Sequence, residues 1–391
     1  MPFHEVTKLD QRRELARLAN IPGANRSALA RAFGVDRKTV AKWAERAAAL
    51  GEAGLCERSR RPRASPARAT PELEGAVLAL RAAHPAWGGR KLHHALARTH
   101  ASAPAPSTIT EILRRNGVEL GLLGGGQKPF IRFEREAPNE LWQMDFKGHV
   151  ALAGQGRLHP LTVLDDHSRF CLVLAACADE RTDTVKTHLQ RAFRAHGLPH
   201  AIISDNGSPW GDGPGSPFTP LGVWLIEHGV RIAHSRPYHP QTMGKDERFH
   251  RTLDLEVLKA QTFDAIGDAA RAFARWRGVY NGERPHQAIG YAVPADRYRP
   301  SARAYRERVE PFCYQREDLL VRVIEGGRIR AFGRQFRAPK AFRGKHVAIR
   351  PADEDGLYAV FFRHVEIARF DRATGKRHPP NLSTLSQNAW P

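Results

Sequence analysis

The spacing of hydrophobic residues changes near residue 137, and this change constrains the fold more than any other feature of the sequence. Before it, apolar side chains recur at the three-to-four-residue spacing of amphipathic helices. After it, short runs such as LWQMDF and CLVLAAC are separated by Gly- and Pro-rich turns, which is typical of β-strands. A chain of 391 residues is also too long for one ordinary domain. We therefore expect helical modules followed by a mixed α/β core.

The segment SALARAFGVDRKTVAKWAERA predicts a helix-turn-helix domain within residues 1–55. Two short helical stretches meet at Gly34, and Asp36 is expected to cap the second helix. A surface helix pair in a bundle would show the same periodicity, but the glycine, the cap and the basic outer face favour DNA binding. The residues expected to face a DNA groove are Arg37, Lys38, Thr39 and Lys42.

A stretch rich in Arg, Pro and Ser, CERSRRPRASPARATP, follows at residues 56–70. It has too few apolar residues to bury a core, so it predicts an extended linker that tracks DNA phosphates. The expected phosphate contacts are Arg58, Arg60, Arg61 and Arg63.

A second helix-turn-helix is expected over residues 71–120. HPAWGGRKLHHAL holds a Trp before a glycine pair. Thr108 and Glu111 form a capping-box pattern, and Gly117 is the expected stop of that helix. The expected DNA contacts of this unit are Arg90 and Lys91.

After a flexible joint at 121–136, residues 137–300 predict an α/β core. Three strands, LWQMDFKGHVAL, HPLTVLDDHSRF and CLVLAAC, have tight connections and predict an antiparallel meander. A helix is expected to be capped by Thr182 and to stop at Gly197. Strand AIISD, helix LGVWLIEHG, strand RIAHSRP and the long helix GKDERFHRTLDLEVLKA follow.

Residues 312–375 repeat short alternating strands separated by turns such as EGG and DEDG, which predicts a small β-barrel or sandwich before a tail at 376–391. Basic residues alternate with apolar ones there, so an outward face could meet DNA. The expected architecture is multidomain: two all-α helix-turn-helix modules, an α/β core and a C-terminal small β-barrel.

The charge of the chain indicates a polyanionic partner. The formal net charge is +20, and arginines extend from Arg12 to Arg377. A surplus this widely spread favours a long polyanion contacted by several modules over a merely basic, soluble protein. No signal pattern and no apolar run near the roughly 18 residues of a membrane span is present, so no membrane partner is expected. The four cysteines form no CxxC pair, which favours a reduced, cytoplasmic protein without structural zinc.

Three acidic residues occupy distinctive positions in the core: Asp145 within a strand, Asp205 at the end of another, and Glu247 in the first turns of the long helix. Each has an ordinary explanation, as a salt-bridge partner, a turn former or a complement to the helix dipole. If they converge, their repulsion would be relieved by divalent cations, and Mg²⁺ prefers such oxygen ligands. Two ions about 3.5–4 Å apart can activate a water or a 3′-hydroxyl at a phosphodiester.

The motifs WQMDF, DDHSR, SDNGSPW and RPYHPQTMGKDERFHRTL together resemble the integrase-type core of DDE transposases. The N-terminal modules resemble the DNA-binding modules of bacterial insertion-sequence transposases, and insertion-sequence family four-eighty-one is the most similar group. This resemblance implies an RNase H-like core that uses two Mg²⁺ ions, for which Mn²⁺ is expected to substitute. Matched by position, it implies that Asp145, Asp205 and Glu247 are the catalytic residues and metal ligands.

Asp246 departs from this pattern, because the residue before the glutamate is usually apolar or small in the family. It is therefore a rival ligand, and helix periodicity does not decide between Asp246 and Glu247, whose side chains point about 100° apart. The family register favours Glu247. The insertion GDGPGSPFTP accounts for the long spacing that separates Asp205 from the glutamate.

Other residues of the motifs invite roles. Asn206 and Gly207 are expected to shape the turn that presents Asp205. A structural salt bridge is the expected role of Asp165, Asp166 and Arg169. The residues expected to hold DNA near the scissile phosphate are His239, Gln241 and Lys245.

These observations predict a bacterial, cytoplasmic and nucleoid-associated transposase. It would bind the terminal inverted repeats of its element, cut double-stranded DNA and join the 3′-OH ends to target DNA. Two ends must be held together, so a homo-oligomer is expected. The alternatives are a non-catalytic DNA-binding regulator derived from such an enzyme, and a metal-dependent nuclease without strand transfer.

Overall fold

The computed structural model describes residues 7–58, 68–119, 134–205, 207–211, 218–234 and 244–380. The chain divides into two compact units, Met1–Arg68 and Ala69–Pro391. None of the described helices is long and apolar enough to cross a membrane. The residues with an expected role that lie outside the described ones are Arg60, Arg61, Arg63, Asn206, His239 and Gln241.

The first unit is a three-helix domain. Its helices are α1 (Lys8–Ala19), α2 (Arg26–Ala32) and α3 (Arg37–Leu50), with a 3₁₀ turn at Gly51–Leu55. Val40 and Trp43 of α3 are buried at the centre. Gly34 has a φ of +62°, which supplies the turn between α2 and α3. Asp36 is the N-cap residue of α3, although its side chain makes no cap hydrogen bond. The predicted helix-turn-helix is therefore present.

The second unit begins with another helical domain, formed by α4 (Pro71–Ala83), α5 (Gly89–Ala97) and α6 (Pro106–Arg115). Trp87 and Ile109 are buried in its core. A Cβ at Gly89 would lie 2.6 Å from the carbonyl oxygen of Pro106, so the glycine permits the close approach of α5 and α6. The capping-box prediction was wrong: α6 begins at Pro106 with Ala105 as its N-cap. Proline at the first helical position is pre-organised for a helix start, and this outweighed the Thr108 pattern.

A mixed six-stranded sheet forms the core of the second unit. Its order is β2-β3-β1-β5-β6, and β4 also pairs with β3. β1, β3 and β4 are antiparallel, as the meander prediction required, whereas β5 is parallel to both β1 and β6. The strands are β1 (Leu141–Phe146), β2 (Val150–Ala151), β3 (Arg157–Asp165), β4 (Cys171–Cys177), β5 (Ala201–Ser204) and β6 (Arg231–His234).

Helices cover both faces of this sheet. Trp142 and Met144 of β1 pack on one face with α7 and α8, while α9 and α10 cover the other face through Phe249, Leu253 and Phe273. Burial of a side chain such as Phe249 contributes roughly 1.5–3 kcal/mol. The helices are α7 (Thr182–His196), α8 (Pro220–Glu227), α9 (Gly244–Leu253, continued by a π turn at Asp254–Leu258), α10 (Ile266–Gly282) and α11 (Pro294–Arg297).

The C-terminal strands form a small antiparallel domain that is not a closed barrel. A five-stranded sheet has the order β13-β12-β11-β10-β7, so β13 and β7 remain its edges among the described residues, and β8 and β9 form a separate hairpin. The hairpin and the sheet share one apolar core, which also includes Val223 and Ile226 of α8. The strands are β7 (Leu319–Arg322), β8 (Arg328–Ala331), β9 (Arg334–Arg337), β10 (His346–Pro351), β11 (Leu357–Phe362), β12 (Val365–Asp371) and β13 (Arg377–His378).

Candidate active site

The parallel pairing of β1 with β5 brings Asp145 and Asp205 side by side. Gln143 pairs with Ile203 in this register, and Asp145 and Asp205 each lie two residues further along. Neighbouring strands are about 4.8 Å apart, so the two carboxylates share the carboxyl-terminal edge of the sheet. Asp145 points to the face covered by α9, because Trp142 and Met144 point to the other.

The SDNGSPW segment presents Asp205 through a turn that is anchored in the core. The amide of Gly207 donates a 3.0 Å hydrogen bond to Oδ1 of Asp205. A Cβ at Gly207 would lie 3.3 Å from Oδ2 of Asp205, which is a tight contact. Trp210 is 4% exposed and stacks on Phe146, with ring centroids 5.5 Å apart. Since Phe146 follows Asp145 directly, one aromatic pair joins the two acidic elements.

The electrostatics of Asp145 reflect crowding by acids. Burial, together with the neighbouring charge of Asp205 and smaller contributions from Glu180 and Glu247, raises the pKa of Asp145 to about 7. A cation beside Asp145 would reverse this shift, because it favours the charged carboxylate. No three His, Cys, Asp or Glu side chains among the described residues converge closely enough to hold a metal ion. The structure therefore pairs Asp145 with Asp205 and leaves Glu247 nearby.

α9 directs its two adjacent acids differently. Glu247 is exposed, whereas Asp246 is fully buried, and neither Asp246 oxygen has a hydrogen-bond partner among the described residues. Burial raises the pKa of Asp246 well above its usual value, and the charges of Asp145 and Asp166 add to the effect. Of the two candidates, Glu247 is the one that a solvent-borne cation can reach.

His250 joins α9 to the strand that carries Asp145. The hydroxyl of Thr162 donates to the Asp145 carbonyl oxygen at 3.0 Å and lies 3.0 Å from Nε2 of His250. Because the single proton of the Thr162 hydroxyl is donated to this carbonyl, Nε2 of His250 must donate its own proton to Thr162. In the neutral ring Nδ1 then carries no proton, and it lies 3.9 Å from the Asp145 carboxylate. Burial, with the nearby Lys147, lowers the pKa of His250 to about 4, so the ring is neutral near pH 7.

Asp166 is the centre of a second network on the same face. Its buried carboxylate accepts hydrogen bonds from Nε2 of Gln143 at 2.8 Å and from the amide of Arg135 at 2.9 Å, and it forms an ion pair with Lys245. Arg169 pairs with Glu134 at 2.8 Å. Asp166 and Arg169 thus form the structural salt bridges expected around DDHSR, whereas the Asp165 carboxylate accepts hydrogen bonds from Ser168 and from the amide of Asn139.

Sequence reasoning missed three residues near Asp145: Thr162, His250 and Glu180. Nδ1 of His159 lies 2.7 Å from Oε1 of Glu180, which follows β4. A signal for His250 was available, because it lies one helical turn after Asp246 and so shares its face. Glu180 and Thr162 carry no local signal, since their proximity depends on strand pairing.

The described residues with an expected role in DNA binding differ in accessibility. Thr39 and Lys91 are half-buried, and Lys91 lies near Arg284 and Glu256. Burial lowers the pKa of Lys91 to about 8. The exposed residues of this group are Arg37, Lys38, Lys42, Arg58 and Arg90.

Family models match most parts of the chain. Integrase core domain models match residues 135–240 and 228–294, a helix-turn-helix domain matches 11–63, and a homeodomain-like domain matches 39–113. These matches and the fold define an integrase-core protein preceded by helix-turn-helix domains, as the sequence predicted. The model of the IS481 family transposase C-terminal domain matches residues 318–378.

Curated relatives agree with this class. An insertion element IS407 protein of 31.7 kDa from Burkholderia multivorans is 30% identical over 58% of this chain and 83% of its own length. An insertion element IS476 protein of 39.2 kDa from Xanthomonas euvesicatoria is 27% identical over 62% of this chain and 69% of its own. The chain belongs to the same family of insertion-element proteins as the Burkholderia multivorans relative, and its C-terminal residues match the IS481 family transposase model.

Two solved structures are among those that show some similarity to this chain. One is the intasome of simian T-cell lymphotropic virus in complex with the PP2A regulatory subunit B56 gamma, which is 15% identical with a TM-score of 0.36 and covers 74% of this chain and 98% of that chain. The other is the HTLV-2 integrase catalytic core with magnesium, which is 13% identical with a TM-score of 0.31 and covers 41% of this chain and 97% of that chain.

Proposed function

We propose that this protein binds the terminal inverted repeats of its own insertion sequence, hydrolyses one strand at each end and joins the freed 3′-OH to target DNA. The observation that carries this proposal is the adjacency of Asp145 and Asp205 at the open edge of the sheet, with Glu247 exposed on the helix above them. Its place of action is the bacterial cytoplasm, at the nucleoid, because that is where its DNA substrate lies.

Asp145, Asp205 and Glu247 would hold two Mg²⁺ ions, or Mn²⁺ in their place. These residues fit Mg²⁺ as ligands, because all three are carboxylates. Burial and the neighbouring acids raise the pKa of Asp145, and a bound cation would offset that shift. When bound, the ions would activate the attacking water or 3′-OH and stabilise the leaving oxygen of the phosphodiester.

The side chains around the acids prepare this chemistry. The turn at Gly207 leaves the Asp205 carboxylate exposed, while Trp210 fixes the loop in the core. Neutral His250 holds the Asp145 strand through Thr162 without adding a positive charge that would compete with a cation. The strand of Asp145 is therefore held to α9 at this point by uncharged groups.

We infer that DNA is bound first through the helix-turn-helix modules. The basic face of α3 would enter a DNA groove, and arginines of the following linker would contact phosphates. Since two element ends must be joined, at least a dimer is expected on DNA. The described residues proposed for these contacts are Arg37, Lys38, Thr39, Lys42, Arg58 and Arg90.

The test uses the full chain with element-end DNA and Mg²⁺ or Mn²⁺. Asp145→Asn, Asp205→Asn and Glu247→Gln are expected to lose end cleavage while retaining DNA binding in a mobility-shift assay. Pre-cleaved ends separate the alternatives: a transposase joins them to target DNA, a nuclease does not, and a regulator binds DNA without cutting it. If Glu247→Gln still cuts while Asp246→Asn does not, the assignment of the third acid is wrong.

A further inference from the structure

α9 is attached to the sheet on both sides of Glu247. Two residues before Glu247, the ammonium of Lys245 forms an ion pair with the Asp166 carboxylate and lies 3.3 Å from the Asp166 carbonyl oxygen. The Lys245 side chain is 18% exposed and that of Asp166 is 0% exposed. A lysine held in this way is not free to follow a DNA phosphate.

The Asp166 carboxylate extends this attachment to the strand of the candidate active site. The same oxygen that accepts from Lys245, Oδ1, accepts a 2.8 Å hydrogen bond from Nε2 of Gln143. Gln143 lies two residues before Asp145 and on the same face of β1. Lys245, Asp166 and Gln143 therefore form a continuous bridge from the helix that carries Glu247 to the strand that carries Asp145.

The second attachment lies three residues after Glu247. His250 contacts Thr162, which in turn donates to the Asp145 carbonyl oxygen. The axial distance from residue 245 to residue 250 on a helix is about 7.5 Å, at 1.5 Å per residue. Glu247 thus lies between two fixed points, and both lead to β1.

We propose that Lys245 is a positioning residue that holds Glu247 for metal binding through Asp166, and that it is not a DNA contact. The proposal rests on the proposed two-metal function. The charge and position of Lys245 in GKDERFH suggest a contact with a DNA phosphate, and the proposal assigns it a different role. The reason is that helix α9 must be fixed relative to β1 for a third carboxylate to join Asp145 and Asp205.

The experiment measures Mn²⁺ binding to the full chain by calorimetry, with Lys245→Met, Asp166→Asn and the double variant. Lys245→Met is expected to weaken Mn²⁺ binding by about 10–100-fold, the usual cost of losing a partner that orients a metal ligand. Asp166→Asn should have a similar effect, and the double variant should be no worse than either single variant. Lys245→Arg should restore part of the affinity.

A matched control is Lys147→Met. Lys147 is 19% exposed and pairs with Asp254 at 3.0 Å, so its burial and pairing resemble those of Lys245. Both substitutions remove one positive charge near the site, and charge alone would strengthen Mn²⁺ binding in both variants. Weakening in Lys245→Met, without weakening in Lys147→Met, therefore supports positioning.

DNA binding without metal is measured as a function of salt. A phosphate contact predicts that Lys245→Met lowers the salt slope by about one, as expected for Lys38→Met, while Asp166→Asn leaves it unchanged. That result, or unchanged Mn²⁺ affinity in Lys245→Met, overturns the proposal. If Lys245→Met lacks the wild-type thermal transition, Lys245→Gln is used, because it keeps a donor for Asp166. A wild-type chain that neither binds Mn²⁺ nor cleaves DNA instead refutes the proposed function.

Discussion

Replacing Asp246 by valine is expected to stabilise the protein, although an acidic residue beside a catalytic glutamate would ordinarily be left alone. Asp246 is 0% exposed, and neither carboxyl oxygen has a hydrogen-bond partner among the described residues. Valine is apolar and no smaller in volume than aspartate, although it branches at Cβ, one bond closer to the backbone than the carboxylate. The substitution therefore removes an unpartnered polar group without a net loss of packed volume.

The expected gain is about 1–2 kcal/mol. Leaving a buried polar group without a partner costs roughly 1–3 kcal/mol. Valine and aspartate have similar intrinsic helix propensities, so the change in helix propensity adds little to this value. For a domain of 150–250 residues, each kcal/mol shifts Tm by about 2–4 °C, so a rise of several degrees is expected.

The pH dependence supplies a second measurement. The pKa of Asp246 is raised in the folded protein, so the folded state binds this proton more tightly than the unfolded state. Wild-type stability should therefore fall as pH increases from about 4 towards the raised folded-state pKa. Asp246→Val lacks this loss, and its advantage in Tm should grow with pH across that window.

Differential scanning calorimetry and the end-cleavage assay together test this reasoning. The matched control is Glu247→Gln on the adjacent, exposed position, which should leave Tm within about 1 °C and abolish cleavage. Asp246→Val should raise Tm and retain cleavage. A lower Tm for Asp246→Val, or loss of its cleavage while Glu247→Gln remains active, would refute the view that Asp246 is an uncompensated core residue.

Three further outcomes are expected. Trp210→Ala should destabilise the fold by about 3–5 kcal/mol and reduce cleavage, because the segment after Asp205 loses its buried anchor. Calorimetry and the cleavage assay check this against Trp224→Ala, which should destabilise the fold without reducing cleavage per folded molecule. Mn²⁺ affinity should increase as pH rises through about 7, because Asp145 must lose its proton to bind a cation; a flat titration between pH 5.5 and 8.5 contradicts it. Thr162→Val should cost about 1–3 kcal/mol, because it leaves Nε2 of the half-buried His250 without its acceptor, and an unchanged urea midpoint would show that this bond contributes nothing.

The order of helices and strands in the core was predictable because each element carries a local signal. Strands β1, β3 and β4 are short apolar runs with turns between them, and α7 ends at Gly197, whose φ is +75°. A competing local signal caused the error at α6, where proline at position 106 decided the helix start. The sequence could not show that the C-terminal barrel is open, because closure depends on whether two edge strands that are distant in sequence pair.

The candidate site was predictable in composition and only partly in geometry. The three acids followed from the resemblance of their motifs to a known family, but the adjacency of Asp145 and Asp205 depends on the parallel register of β1 and β5, which no local pattern reports. Periodicity also fitted both Asp246 and Glu247. The packing of α9 on the sheet distinguishes them, because it buries one and exposes the other.

The two sides of α8 become buried at different times during synthesis of the chain. One side of this helix packs on the central sheet through Leu221 and Leu225, and another side packs on the C-terminal strands through Val223 and Ile226. Translation at about 5–20 residues per second leaves that second side uncovered for on the order of ten seconds, until the last strands are synthesised. The helix is the next one described after Asp205 in the sequence, so a ribosome that stops early releases a chain whose candidate active site rests on an unfinished support.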